Sequence, residues 1–263
     1  MVHHGPVDAT PWTDLARAAA THLGLPGDDI TLLGGATGQV FACGGQVLRT
    51  GWSAVLDVEH LAAQAASGVV PVPRVLDRID DPATGRSVVL QPLLAGTTAY
   101  VDESTGTRRA RRRGEACGEV HRALAGLRAP AGLAAARGQA DAPGLLHLDL
   151  HPLNLLLGDD DEVTAVLDWT NTAAGPPDLD RARTVTVLHL DPQARMLAGA
   201  PVWQAFVDGW TRSAGLDDIS PGALAWACRY MLDDLATRYA ADEYAHVTAV
   251  HARAVEGEVA LHV

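Results

Sequence analysis

Three oxygen-bearing side chains stand at usable spacings within one stretch, Gly144–Ala182 (GLLHLDLHPLNLLLGDDDEVTAVLDWTNTAAGPPDLDRA): Asp149, Asn154 and Asp168. A carboxylate only accepts hydrogen bonds, so Asp149 can orient a hydroxyl and take its proton. Asn154 and Asp168 offer the hard oxygen atoms that Mg²⁺ prefers. Those are the needs of phosphoryl transfer to a hydroxyl. Two short strands, Leu155–Leu157 and Val163–Leu167, joined by the acidic turn Gly158–Glu162, are predicted to bring all three to one edge of a small sheet.

The order His147-x-Asp149, then Asn154, then Asp168 after the next strand, follows the catalytic-loop pattern of protein kinases. HLDLHPLN followed by VLDWTNTAAGPPDLD more specifically resembles the aminoglycoside phosphotransferase and choline kinase-like family of small-molecule kinases. The matching positions are His147, Asp149, His151, Asn154, Asp168, Trp169, Gly175, Pro177 and Asp180. The sequence departs at Leu148 and Leu153, where that family favours glycine, which adds bulk beside the loop without removing a reacting group. The resemblance implies an α+β, two-lobed, protein-kinase-like fold, with a small antiparallel-sheet lobe over residues 1–96 and a larger, mainly helical lobe over 97–263. It implies ATP or GTP and Mg²⁺ as cofactors, Asp149 as the catalytic residue, and Asn154 and Asp168 as metal ligands. The catalytically silent alternative, a nucleotide-binding protein, is disfavoured by the intact Asp149, Asn154 and Asp168.

The same resemblance assigns the nucleotide site. The turn Gly34–Gly38 falls where a kinase covers the phosphates, with Thr37 and Gly38 as contacts, although it lacks the Walker pattern and its Lys. Arg49 takes the place of the kinase lysine, and an Arg can fork onto phosphate oxygens. Its expected partner is Glu59 on the next helix, with Asp57 second. Gln91 and Leu93, in the hinge Gln91–Gly96, are the expected purine contacts. Bland roles stand beside these. His147 and His151 could ligate a metal, but no third ligand has suitable spacing; His147 is expected to brace the loop through backbone hydrogen bonds, and His151 to lie beside the nucleotide phosphates or support the turn. Asp178 and Asp180 could cap the following helix, and for Asp180 that is the expectation, the cap also holding the loop.

Positioning these residues requires an ordered set of elements. A helix is expected over Pro11–Leu23, strands over Ile30–Leu33, Gln39–Cys43 and Gln46–Thr50, and a helix over Ala54–Ala66. Strands near Arg74–Ile79 and Ser87–Gln91 follow, then a loop over Thr97–Thr107. Apolar steps at Cys117, Val120, Leu124 and Leu127 predict a helix from Arg108 to Leu127. Its arginine run, Arg108–Arg113, suits a solvated face paired with nearby carboxylates better than an acidic ligand. Residues 129–143 are expected to hold a short helix and a loop, and helices are expected over Leu179–His189, Trp203–Trp210, Pro221–Ala240 and Tyr244–Ala254.

Composition bounds the rest. The 263 residues carry 48% hydrophobic side chains, enough for a large core or two lobes. No apolar run approaches the roughly 20 residues of a membrane span, and the N-terminus lacks signal-peptide character. Cys43, Cys117 and Cys228 are widely spaced and odd in number, as free thiols of a cytoplasmic protein would be. The net charge of −12 disfavours nucleic acid. It suits a cationic hydroxyl-bearing substrate, or simply solubility. From Pro201 to Val263 nine Asp or Glu face four Arg; among them Asp233, Asp234 and Glu243 are candidates to hold substrate ammonium groups. The expected activity is phosphorylation of a cationic antibiotic, the alternative a metabolite kinase for an amino alcohol or sugar. The protein is expected to act as a monomer or homodimer with no nucleic-acid or membrane partner; the short link from Asp168 to the next helix disfavours a protein substrate.

Overall fold

The structure is a computed structural model and describes residues 10–27, 29–34, 39–139 and 143–259. Helix α1 (Thr10–His22) buries Trp12, Ala16, Ala19 and Ala20, a stripe of four- and three-residue steps. Its small alanines allow close approach to Phe41, Cys43, Leu48, Val88 and Leu90 of a five-stranded sheet. The strands are β1 (Thr31–Gly34), β2 (Gln39–Cys43), β3 (Gln46–Trp52), β4 (Asp77–Asp81) and β5 (Arg86–Pro92). Every pairing is antiparallel, in the order β1-β2-β3-β5-β4. Along β3, Leu48 and Thr50 are buried, so strand alternation sends Arg49 to the other face.

Helix α2 (Ser53–Ala66) lies on the Arg49 side and buries Leu56, Glu59, Ala62 and Ala66. Its C-terminal half joins the second, larger core, to which Ala62, Ala66 and the following Val70 all belong. Strand β4 starts three residues later than the expected Arg74. Pro71 and Pro73 have no N–H to give to a ladder; the Pro71 carbonyl accepts from Val166 at 2.8 Å, and sheet pairing begins only where Leu76 donates to the Leu90 carbonyl at 2.8 Å.

The remainder is mainly helical. Helix α3 (Thr107–Leu124) crosses α6 (Pro201–Ala214) at backbone contact, because glycines stand on both sides of the crossing. A Cβ at Gly114 would lie 2.0 Å from the Phe206 carbonyl oxygen, and one at Gly209 would lie 2.3 Å from that of Arg111. The arginine run at the start of α3 grips one buried carboxylate. Arg109 and Arg113 donate to Asp161 at 2.8 and 2.7 Å, and Arg112 lies 3.6 Å from it. Asp161 sits at the turn between β8 (Leu155–Leu157) and β9 (Val163–Val166), so this fan ties α3 to the hairpin that carries the candidate site.

Several small elements depart from expectation. Within Thr97–Thr107, Thr97–Thr98 forms β6 against β8, and a single 3₁₀ turn covers Glu103–Thr105. Where a short helix was expected, residues 129–139 form none; Arg128 and Ala135 instead make isolated bridges to Gly144 and Ala174. Strands β7 (Gly144–Leu146) and β10 (Ala173–Gly175) pair antiparallel. Helix α4 (Pro177–Leu190) follows, then α5 (Pro192–Leu197), whose cap is Asp191. Helix α7 (Pro221–Leu235) stops five residues before the expected Ala240, and α8 (Ala245–Val255) is the last helix of the described residues. Cys43, Cys117 and Cys228 are all buried free thiols. Among the described residues no helix is long and apolar enough to cross a membrane.

Candidate active site

Residues 147–154 link β7 to β8, and buried polar groups fix their path. The Asp180 carboxylate accepts from the Leu148 amide at 2.7 Å and the His147 amide at 3.3 Å. Asp180 lies in the first turn of α4 but does not cap it, since Pro176 is at the cap position; the carboxylate turns to the loop instead. Thr184, one turn further, donates to the Leu150 carbonyl at 2.9 Å. The His147 ring donates from Nε2 to the Leu167 carbonyl at 3.0 Å, and its Nδ1 accepts the Asp149 amide at 3.3 Å. Burial lowers the His147 pKa, consistent with this neutral tautomer. Leu148 has φ +62°, so the loop takes the left-handed turn even though a leucine replaces glycine there.

Asp149 and Asn154 meet directly. The Asn154 Nδ2 donates to the Asp149 carbonyl at 2.9 Å and to its carboxylate at 3.3 Å, which leaves Oδ1 as the atom able to ligate a cation. His151 Nε2 stands 3.7 Å from the Asp149 carboxylate. Burial alone would raise the Asp149 pKa; the proximity of His151 and the Arg183 charge outweigh it and bring it down to about 2. The backbone of Asn154 is joined to the Asp168 strand end, because its carbonyl accepts from Leu167 at 2.8 Å. Asp168 follows β9 with φ +55°, a left-handed geometry that aspartate tolerates.

A second cluster reaches Asp168 from the sheet. Arg49 Nε donates to Glu59 Oε2 at 2.9 Å, and its Nη2 to Glu59 Oε1 at 2.5 Å. The same Nη2 reaches Asp168 and Thr170, each at 3.2 Å. Thr170 also donates to Glu59 and bonds Asp168, so four side chains from β3, α2 and the segment after β9 close one network. Burial would lower the Arg49 pKa, but the Glu59 hydrogen bond and the Glu59 and Asp168 charges raise it overall. Asp57 is not in this network; it pairs with Arg78 at 2.5 Å.

The other candidates lie as follows. Gln91 is opposite Val47 in the β3–β5 ladder, one residue past the last β4 pair, and the Leu93 amide donates to the Gly45 carbonyl at 3.3 Å. Thr37 and Gly38 lie outside the described residues. Asp233 pairs with Arg137 and Arg229, both at 2.6 Å, and Asp234 with Arg238 at 2.5 Å. Glu243 accepts the Ala240 amide at 2.9 Å. None of these three carboxylates joins the Asp149 cluster. Among the described residues, no three His, Cys, Asp or Glu side chains converge as a metal site. The amide oxygen of Asn154 with the Asp168 carboxylate is instead the sparse donor set that suits Mg²⁺, which retains waters and phosphate oxygens.

Two participants carry no sequence signal of their own. Thr170 is marked only by standing two residues after Asp168. Arg183, within α4, is 5% exposed and stacks on the Tyr230 ring at 4.9 Å, with its charge acting on Asp149. An arginine among apolar helical residues reads as a surface position until the fold encloses it.

The sequence model of the phosphotransferase enzyme family (APH) matches residues 56–142 and 128–216, together more than half of the chain. Among curated proteins none matches. Solved structures of similar fold include aminoglycoside phosphotransferase APH(4)-Ia in ternary complex with AMP-PNP and hygromycin B, at 16% identity and TM-score 0.55, covering 93% of this chain and 98% of that one. The microcompartment-associated aminopropanol kinase has 15% identity and TM-score 0.59, covering 92% and 94%. Aminoglycoside phosphotransferase APH(3'')-Id from Streptomyces rimosus has 15% identity and TM-score 0.59, covering 84% and 96%. These likenesses show the kinase-like fold, and with the sequence match they show that the chain belongs to the phosphotransferase enzyme family.

Proposed function

We propose that this chain transfers the γ-phosphoryl group of ATP or GTP to a hydroxyl of a small cationic molecule, an aminoglycoside-like antibiotic being the leading class. The observation that carries the reading is the Arg49–Glu59–Asp168–Thr170 network, which joins the sheet to the strand end beside the Asp149–Asn154 pair. Asp149, ionised at any working pH, accepts the hydroxyl proton as the new P–O bond forms and the bond to the β-phosphate oxygen breaks. Arg49, held by Glu59, presents its guanidinium to the α- and β-phosphates. Asn154 and Asp168 would hold Mg²⁺, which would offset phosphate charge. The cytoplasm supplies nucleotide and Mg²⁺ and keeps the three thiols reduced.

The cationic acceptor is supported by the net charge of −12 and by the hygromycin B complex of a structural neighbour. Ammonium groups would displace arginines from Asp233 and Asp234; those arginines are 48–76% exposed, and such surface pairs are weak. A second reading, a small amino alcohol acceptor, is favoured by the aminopropanol kinase neighbour. The test is nucleotide consumption with Mg²⁺ across aminoglycosides, other cationic antibiotics, amino alcohols and sugars, with Asp149→Ala as control. Stimulation by one class, reduced about 10²-fold or more in the variant while nucleotide still binds, is the expected result. If the variant turns over as fast as the parent, the assignment of Asp149 fails.

A further inference from the structure

Behind the catalytic loop, on the far side of Asp180, lies a cavity of about 530 Å³ between α3, the start of α4 and the C-terminal end of α6. Arg122, Arg181 and Arg212 line it, together with His121. Carboxylates match these charges poorly. Arg181 pairs with Asp178 at 3.2 Å, and Arg212 has Glu115 only at 3.9 Å. Among the described residues Arg122 has no carboxylate within 4.0 Å. His121 is wholly buried, and neither ring nitrogen has a hydrogen-bond partner; the Arg181 Nε is likewise buried and unpartnered. Unpaired buried polar atoms are costly, and these lie sealed beneath a rim on which Arg122 and Arg212 are exposed.

We propose that this cavity binds a small organic molecule carrying a phosphate or a cluster of carboxylates, at a place separate from the Asp149 cleft. An oxyanion there accepts from the guanidinium forks, the geometry that arginine offers best, with the buried His121 ring beneath it. Two of the arginines also serve the α6 C-terminus, Arg122 donating to the Ser213 carbonyl at 2.8 Å and Arg181 to that of Gly215 at 3.4 Å. That role uses one of five N–H groups on each and accounts for neither His121 nor Arg212. The cavity has the size of small-molecule sites, and a bare ion would fill little of it. His121 Nε2 stands 3.8 Å from the Asp180 carboxylate that holds the His147 and Leu148 amides. A bound anion is therefore one side chain away from the catalytic loop.

The test is calorimetric titration of the full chain with citrate and, separately, with glycerol 3-phosphate; which of the two binds identifies the anion class. We expect one of them to bind one-to-one, and Arg122→Gln/Arg212→Gln to weaken it about tenfold or more, as loss of charge-assisted bonds should. Arg49→Gln, which disables the nucleotide cleft, should leave that affinity unchanged. In the unaltered protein the His121 imidazole signals, assigned with His121→Phe, should move on titration. Absence of binding by both probes overturns the proposal. So does affinity lost in Arg49→Gln but kept in the double variant, or a His121 signal that stays fixed at saturation.

Discussion

Leu148 holds the left-handed turn of the loop between β7 and β8 and is 2% exposed. The backbone there costs roughly 1–2 kcal/mol for an L-residue. Emptying a buried leucine site costs about 2–5 kcal/mol, which is larger. Leu148→Gly should therefore lower stability by about 1–3 kcal/mol, read as an earlier urea midpoint at unchanged slope. A variant more stable than the parent would mean that the turn, not the packing, dominates. The loop is legible in the sequence because His147, Asp149 and Asn154 stand within eight residues of one another. Thr170 and Arg183 are not, since the partners that give them meaning, Glu59 and Tyr230, are distant in the chain.

At the scale of elements, the α3–α6 crossing admits no side chain at Gly114 or Gly209. Gly114→Ala would gain a little helix propensity, yet its methyl group meets a backbone carbonyl that cannot swing aside. The expected result is a loss of about 1–3 kcal/mol in thermal or urea unfolding, typical of overpacking. Asp161→Asn removes the carboxylate on which three arginines converge, leaving buried guanidinium charge uncompensated. It should destabilise the protein more than Asp208→Asn, whose carboxylate is 58% exposed opposite Arg111; equal midpoints would contradict that. Long periodic helices such as α3 are visible from apolar spacing alone. Strands β6, β7 and β10, of two or three residues each, are too short for any period, and only their partners define them.

For the whole molecule, buried histidines set the response to acid. Burial, aided by the Arg181 charge, brings the His121 pKa down to about 3, and burial lowers that of His147 too. Below pH 6.5 the unfolded chain takes up protons that the folded chain refuses, so stability falls as pH drops from 6.5 toward 3. Asp149, with its pKa at about 2, adds a loss of the same sign below pH 3.8. Asp180 acts oppositely, since its raised pKa relieves buried charge on acidification. The unfolding free energy from urea titrations should decline from pH 7 to pH 5, by up to about 1.4 kcal/mol per pH unit for each such histidine. His121→Phe should flatten the decline, and an unchanged slope would assign it elsewhere.

Helix α2 spans the molecule's two cores, with Glu59 on Arg49 and, one and two turns on, Ala62 and Ala66 seated among the large-lobe residues. Protein kinases are switched off by swinging the equivalent helix outward. Here that motion would pull Ala62 and Ala66, both wholly buried, out of the larger core, so packing opposes it.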